Sequence, residues 1–112
     1  MHFSMEKKGQ ALIVAIQGEL DLHTSPEFKT EISKAFAAHL DLKYLIFNVK
    51  EMTFIDSSGL GVILGRYRDL QDREGRLYFV QANPQIKRVL EFSGLRKISI
   101  FADSTQEVLE QV

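Results

Sequence analysis

The fold of this chain is decided by the segment TFIDSSGLGVILGRYR, residues 53–68. Apolar residues recur there and just beyond at spacings of three and four, namely Leu60, Ile63, Leu64, Tyr67 and Leu70. This spacing predicts a helix from Ser57 to about Arg73, ended by Gly75, with one buried face. Asp56, Ser57 and Ser58 stand where the helix begins, and composition alone favours helix caps for the two serines. A helix N-terminus also favours negative charge.

Three glycines, at positions 59, 61 and 65, interrupt this predicted helix. Each glycine inside a helix costs about 1 kcal/mol relative to alanine, so the sequence gives up roughly 2–3 kcal/mol in helix propensity. One interpretation is close packing of the helix on its own sheet. The other is a smooth surface on which a second protein approaches the backbone near the serines. Both interpretations stay open at the level of sequence.

Strand and helix patterns alternate on both sides of this segment. In order they are a strand around Phe3 and Met5, a strand Ala11–Ile16, a helix from Thr24, a strand Lys43–Val49, the central helix, a strand Arg76–Val80, a short helix from Asn83, an edge strand Ile98–Phe101 and a terminal helix from Ser104. A turn at residues 7–10 makes the first two strands an antiparallel hairpin. The continuously apolar strands are typical of central strands covered on both faces. The whole pattern predicts an α/β layer fold with right-handed crossovers.

The helices also carry predictions about caps and buried faces. Thr24 with Glu27, and Ser104 with Glu107, have the spacing of a capping box. The predicted inward positions are Phe28, Ile32, Ala35, Phe36 and His39 or Leu40 in the first helix, and Val108 and Val112 in the last. The charged residues of the central helix, Arg66, Arg68, Asp69, Asp72 and Arg73, are most simply its wet face, and some border a partner surface.

Composition places the chain among small intracellular proteins. Its 112 residues, 45% of them hydrophobic, predict a single domain, 1–112, with a real core. The absence of cysteine suits a reducing cytoplasm, and the net charge of -1 argues against a nucleic-acid surface. The N-terminus lacks the apolar core of a signal peptide, and no apolar run is long enough to span a membrane. We therefore expect a cytoplasmic protein that contacts neither nucleic acid nor membrane.

The run from Asp56 to Tyr67 resembles the phosphorylation-site segment of bacterial anti-sigma factor antagonists, the stand-alone STAS domains. It is most similar to those of the sporulation sigma-F system in spore-forming bacilli. Two further family motifs are matched by Gly18-Glu19-Leu20-Asp21 and by Asn83-Pro84 with Arg88, Leu90 and Ser93-Gly94-Leu95. The resemblance thus covers nearly the whole chain. It implies a small mixed sheet, an N-terminal hairpin plus parallel strands, flanked by about four α-helices.

The resemblance also implies a function and a set of site residues. Ser57 matches the serine that the anti-sigma factor, itself a serine kinase holding ADP or ATP, phosphorylates. The unphosphorylated protein binds that kinase and releases the sigma factor, and a PP2C-type serine phosphatase restores it. The chain is then a regulator of sporulation transcription without enzyme activity or cofactor, monomeric when free. Its phosphosite neighbours and partner-binding residues are Asp21, Thr24, Asp56, Ser58, Gly59, Leu60, Gly61 and Arg66.

The residues themselves favour no enzyme motif. Gly59-Leu60-Gly61 is followed by no Gly-Lys-Ser/Thr, and Leu64 occupies the third glycine position of a dinucleotide fingerprint. Ile55 stands where a hydrolase nucleophile elbow needs glycine, and the histidines at positions 2, 23 and 39 lack metal-ligand spacing. Two alternatives remain: a nucleotide-binding or weakly NTP-hydrolysing protein, and a STAS sensor module of a general-stress pathway. If parallel strands share their carboxyl edge, Asp21 lies near Ser57. The resemblance implies that Asp21 helps to position the serine hydroxyl or groups of the kinase.

Overall fold

A five-stranded sheet in the order β1-β2-β3-β4-β5 forms the centre of the computed structural model, which describes residues 1–112. The elements are β1 His2–Lys8, β2 Ala11–Leu20, α1 Ser25–Ala38, β3 Tyr44–Ile55, α2 Ser57–Gln71, β4 Arg76–Val80, α3 Pro84–Phe92, a 3-10 turn Leu95–Lys97, β5 Ile100–Ala102 and α4 Thr105–Gln111. β1 is antiparallel to β2, and every other neighbouring pair is parallel. The predicted hairpin, parallel strands and four helices are confirmed.

The two faces of the sheet are covered unequally. Because consecutive parallel strands are neighbours and crossovers are right-handed, α1, α2 and α3 fall on one face. That face carries the main core of 20 buried residues, including side chains from all three helices. A row of phenylalanines crosses it, with ring centroids 5.1–5.9 Å apart from Phe3 to Phe101. The second face has a smaller cluster that Val108 of α4 covers.

Strands β2 and β3 are longer than the sequence predicted. β2 was expected to end near Ile16 and β3 near Val49, but they reach Leu20 and Ile55. β3 pairs with β4 only as far as Asn48, so its last seven residues pair with β2 alone. The result is a two-stranded parallel ribbon that projects beyond the rest of the sheet. We call the residues where both strands end, 20–24 and 55–60, the ribbon tip.

Two expectations about caps and strand ends are wrong. Thr24 precedes α1 but makes no side-chain cap bond to it, because its hydroxyl is used within the preceding loop. Ile98 does not begin β5, because Gly94, with φ of 84°, opens the 3-10 turn and delays the strand to Ile100. By contrast Ser104 accepts from the Glu107 N–H at 3.1 Å, and Asn83 caps α3 as predicted.

The expected burial at several helix ends also needs correction. α1 ends at Ala38, so His39 and Leu40 fall outside its buried row, and Leu40 is 83% exposed. Val112 follows the end of α4 and is also exposed. Arg73 is no part of a wet face. Its guanidinium donates to the carbonyl oxygens of Phe36 at 2.8 Å and His39 at 2.9 Å, which closes the open C-terminal end of α1.

Candidate functional site

Asp56 joins the two halves of the ribbon tip. Its Oδ1 accepts from the N–H of Gly59 at 3.0 Å, which caps α2. Its Oδ2 accepts from the N–H of Leu22 at 3.1 Å, in the loop that follows β2. The Asp56 N–H itself donates to the Leu20 carbonyl at 3.2 Å, continuing the ladder between the strands. One carboxylate therefore fixes the β2–α1 loop against the start of α2.

The aspartate, and not either serine, is the cap of α2. Ser57 and Ser58 are the first two helical residues, and neither hydroxyl takes part in the cap. Ser57 is exposed and Ser58 is half-buried. Both oxygens of the neighbouring Asp56 carboxylate accept from backbone N–H groups, those of Gly59 and Leu22, and not from the Ser57 hydroxyl. The arrangement offers an accessible hydroxyl at a helix N-terminus, where a phosphate gains from the dipole and nearby N–H groups.

The glycines of α2 divide between the two interpretations. A Cβ at Gly59 would lie 2.7 Å from the carbonyl oxygen of Leu20 and 2.8–2.9 Å from side-chain carbons of Leu20 and Ile55. Glycine is thus needed there for α2 to start directly against the end of β2. A Cβ at Gly61 or Gly65 would meet nothing within 4 Å. Those two positions leave the outer surface of α2 smooth.

The loop after β2 is braced by its own side chains. Asp21 Oδ1 accepts from the N–H groups of His23 at 2.9 Å and Thr24 at 3.1 Å. The Thr24 hydroxyl accepts from the Asp21 N–H at 2.9 Å and lies 3.0 Å from the Glu19 carbonyl. The Thr24 N–H, followed by that of His23 and the Thr24 hydroxyl, holds the pKa of the Asp21 carboxyl below its usual value. Asp21 therefore keeps a fixed negative charge.

The register of the ribbon brings Asp21 and Ser57 to the same edge. Leu20 is paired with Ile55, so Asp21 and Asp56 are the next residues along their strands, and Ser57 follows. Asp21 Oδ1 is used inside the loop, whereas Oδ2 makes no hydrogen bond within the protein. The carboxylate thus has one oxygen that holds the loop and one that remains for other groups.

Arg66 does not lie with the other predicted site residues. It is only 6% exposed, its Nε donates to Asp69 Oδ2 at 3.0 Å, and one guanidinium N–H donates to Ser33 Oγ at 3.3 Å. It therefore links α2 to α1, and its expected place on the wet face is wrong. The buried row of α2 is Gly59, Ile63, Arg66 and Leu70. The predicted stripe, which included Leu60 and Leu64, was rotated towards solvent by about one residue.

Exposed apolar side chains surround the ribbon tip. Leu22 is 65% exposed, Phe54 46% and Leu64 37%, and Phe92 at the end of α3 is 97% exposed. These four are half of the eight large hydrophobic residues that the molecule exposes. Leu22 and Phe92 were not predicted as surface residues of the site, and Leu64 was expected in the core. The available signal for Phe92 was its place in the helix: it lies two residues after Leu90 and six after Ile86, which puts it outside the row that α3 buries.

An apolar groove runs from Ser57 between α2 and the chain after α3. Its volume is about 420 Å3, and its lining is Ser57, Leu60, Gly61, Leu64, Ser93, Gly94, Leu95 and Ile98. We call this the α2–α3 groove. A second depression shares Leu60 and Ser93 with it and adds Arg88, Val89 and Phe92. Leu60 and Gly61 thus lie on one surface with Ser57, as expected from their place in the sequence.

No three or more His, Cys, Asp or Glu side chains are grouped so that they would hold a metal ion. None of the helices combines the length and apolar character that a membrane span requires.

The chain is a small α/β domain. It has a mixed sheet with three helices on one face and an exposed serine where the longest helix leaves the sheet. Residues 2–108 match the STAS domain family, and the chain belongs to it. It is 35% identical over 112 residues to the anti-sigma F factor antagonist of Paenibacillus polymyxa, with 100% of this chain and 95% of that protein covered.

Solved structures agree with the same fold. The anti-sigma factor antagonist SpoIIAA in its unphosphorylated form aligns with a TM-score of 0.78 and 28% identity, over 98% of this chain and 96% of that one. The Bacillus cell fate determinant SpoIIAA in its phosphorylated form aligns with a TM-score of 0.78 and 30% identity, over 98% of each chain. The predicted fold and family are confirmed.

Proposed function

We propose that this chain is an anti-sigma factor antagonist whose binding is switched by phosphorylation of Ser57. The observation that carries the proposal is the exposed Ser57 hydroxyl at the start of α2, left free because Asp56 supplies the cap. Unphosphorylated, the protein binds a serine-kinase anti-sigma factor holding ADP or ATP, which releases the sigma factor. The kinase then transfers the γ-phosphoryl group of ATP to the Ser57 oxygen, and ADP leaves. A PP2C-type phosphatase hydrolyses the phosphoserine and restores the antagonist.

The surroundings of Ser57 suit a protein partner better than a small substrate. Four exposed hydrophobic side chains lie around the ribbon tip, and apolar residues of this kind mark interaction surfaces when they are gathered in one region. The similarity to anti-sigma F factor antagonists supports a role in sporulation transcription and in the cytoplasm. The chain acts by binding and not by catalysis, as one folded domain.

The charges at the tip provide the switch. Phosphorylation adds a charge of about -1.5 to -2 beside Asp56 and close to Asp21. A partner carboxylate about 6 Å away, at an effective dielectric of 20, opposes a unit charge by roughly 3 kcal/mol before screening. Since each 1.4 kcal/mol changes affinity about tenfold, one such contact weakens binding by about a hundredfold. Within the domain, the gain from the helix N-terminus, about 0.3–1 kcal/mol, offsets repulsion from Asp56.

The proposal is tested with the purified anti-sigma factor from the same genome. Incubation with this kinase and ATP should add one phosphate, which mass spectrometry should map to Ser57. Ser57→Ala should accept no phosphate and bind persistently, Ser57→Asp should bind poorly, and Ser58→Ala, the matched control, should still be phosphorylated. Calorimetry should show weak binding for the phosphorylated form, with a melting temperature close to that of the unmodified protein.

Three results would contradict parts of this proposal. A phosphate mapped to Ser58 or Thr53 would overturn the assignment of the acceptor. A nucleotide titration of this chain alone that gave saturable binding and NTP hydrolysis would favour the enzyme alternative. A drop of ten degrees or so in melting temperature on phosphorylation would show that the switch is conformational, because that is a large shift for a domain of this size.

A further inference from the structure

We propose that the α2–α3 groove receives an apolar segment of the anti-sigma factor that carries a carboxylate, with Phe92 as the aromatic anchor on this chain. This inference rests on the proposed function and names the chemistry of the partner surface. It assigns a role to α3 and to the turn after it, which lie far from Ser57 in the sequence.

The groove is continuous with the surface around Ser57. Ser57 itself lines one end of the groove, and Leu60, Gly61 and Leu64 continue its wall along α2. A kinase that reaches the Ser57 hydroxyl must lie over this end. The groove then leads away from Ser57 to the second depression, which Phe92 lines, because the two share Leu60 and Ser93.

The second argument is the exposure of Phe92. With 97% of its surface in water, this ring makes almost no contact with its own domain. Removing an apolar ring from water is favourable in proportion to the area covered, so a partner that covers Phe92 gains affinity. Large aromatic residues of this kind are the common anchors of protein interfaces. A small ligand held in the groove would leave most of such a ring uncovered.

The charge of the lining is positive. The combined lining of the groove and the second depression contains one charged side chain, Arg88, and no carboxylate. Arg88 forms no ion pair within the protein, whereas nearby Glu91 is already paired with Arg96 at 3.2 Å. The complementary surface is therefore apolar with an acidic side chain opposite Arg88. This complementarity adds to the approach rate of the partner and to its orientation.

The test measures affinity for the purified anti-sigma factor with ADP, by calorimetry. Phe92→Ala should weaken binding at least about tenfold, as loss of an interface anchor does. Gly61→Leu should do the same by filling the groove, and its Cβ meets nothing within 4 Å, so the fold should be kept. Arg88→Glu should weaken binding more than Arg88→Gln. Arg88→Gln should remove the pair's contribution to the salt dependence of binding, and Arg88→Glu should reverse it, because salt screens the new repulsion. Leu40→Ala, at an exposed apolar position outside the site, is the matched control and should leave affinity unchanged.

The outcomes separate this inference from the proposed function. If wild-type protein binds and is phosphorylated on Ser57 while Phe92→Ala and Gly61→Leu bind within twofold of it, the groove is not the docking site. Equal affinities for Arg88→Glu and Arg88→Gln would overturn the acidic partner. If the wild-type chain neither binds nor is phosphorylated, the proposed function itself fails. Sedimentation of the free chain tests whether a second copy of this chain occupies the groove. Self-association that Phe92→Ala abolishes would identify that second copy and overturn the inference.

Discussion

Replacing Gly59 by alanine tests directly how α2 is seated on the end of β2. The new Cβ would stand 2.7 Å from the Leu20 carbonyl oxygen, 2.8 Å from Leu20 Cγ and 2.9 Å from Ile55 Cγ1. Ordinary contacts between carbon atoms are about 3.5–4.0 Å, so all three neighbours would have to move. Leu20 is fully buried and Ile55 nearly so, and the carbonyl is held by the Asp56 N–H. None of the three can yield cheaply.

The magnitude follows from two opposing effects. Overpacking a well-packed core costs about 1–3 kcal/mol, and alanine recovers about 1 kcal/mol of helix propensity. Because three close neighbours would have to move at once, the overpacking cost lies in the upper part of that range, about 2–3 kcal/mol, and the net loss for Gly59→Ala is about 1–2 kcal/mol. Gly61→Ala gains propensity without any close contact, so it should stabilise the fold by about 0.5–1 kcal/mol. An unfolding entropy of about 2.1 cal/mol/K per residue makes each kcal/mol worth roughly 4 °C for 112 residues.

Thermal and urea unfolding of the two alanine variants provide the measurement. Gly59→Ala should melt about 4–8 °C below the wild type and Gly61→Ala about 2–4 °C above it. Amide exchange should quicken at Leu22 in the first variant only, because α2 would be pushed away from the loop that Asp56 holds. A Gly59→Ala protein that melts at or above the wild type would refute the reasoning, since the close approach would then cost nothing.

Three other perturbations have defined outcomes. Asp21→Asn, which keeps an acceptor oxygen but removes the charge, should slow phosphorylation of Ser57 while changing stability by under about 0.5 kcal/mol at neutral pH. Because the pKa of Asp21 is lowered in the folded protein, its contribution to stability is present above the unfolded pKa, near 3.8, and is lost as the pH falls through the lower folded value. The melting temperatures of wild type and Asp21→Asn should therefore converge in acid, and curves that stay parallel would contradict this. Asp56→Asn presents an amide N–H2 to one of two backbone N–H groups, so it should cost about 1–3 kcal/mol and loosen Leu22 in hydrogen exchange. Arg66→Met should stay within about 1 kcal/mol of wild type and bind the anti-sigma factor normally, because an apolar chain of similar length can replace a buried ion; weaker binding would show that the guanidinium reaches the partner.

The strands and helices were predicted well from the sequence because each has a strong hydrophobic period. The predicted β2 and β3 were too short for a physical reason. The apolar run of β3 ends at Val49, where pairing with β4 has also ended. Beyond it, Lys50, Glu51 and Thr53 are exposed, because a ribbon paired on one side needs fewer apolar residues. Pairing of β2 with β3 is a contact between distant segments, and no local pattern reports where it stops.

The site was predicted in part, and its errors share one cause. Aspartate and serine are nearly equal as helix caps, so the choice of Asp56 over Ser57 depends on where β3 ends and releases the chain. For Arg66 and Leu64, the predicted and the observed directions of the side chain differ by a small rotation of α2 about its axis. The close contact of Gly59 with Leu20 sets this rotation. Tertiary packing decided both points. The role of Ser57 as a phosphate acceptor came from the family resemblance and stays a prediction, whereas the exposure of Phe92 depended on how α3 is placed.

The position of Asp56 gives the proposed phosphate at Ser57 a place from which it would act on the whole surface. Asp56 holds the loop of Asp21 and Leu22 on one side, and Ser57 opens the α2–α3 groove on the other. Both parts of the surface therefore meet at one residue pair, at the end of a ribbon that projects from the sheet. A charge added there faces any partner that covers either part, since neither can be covered without approaching it. The proposed switch needs no rearrangement of the fold, because the helix N-terminus at Ser57 is already capped by Asp56.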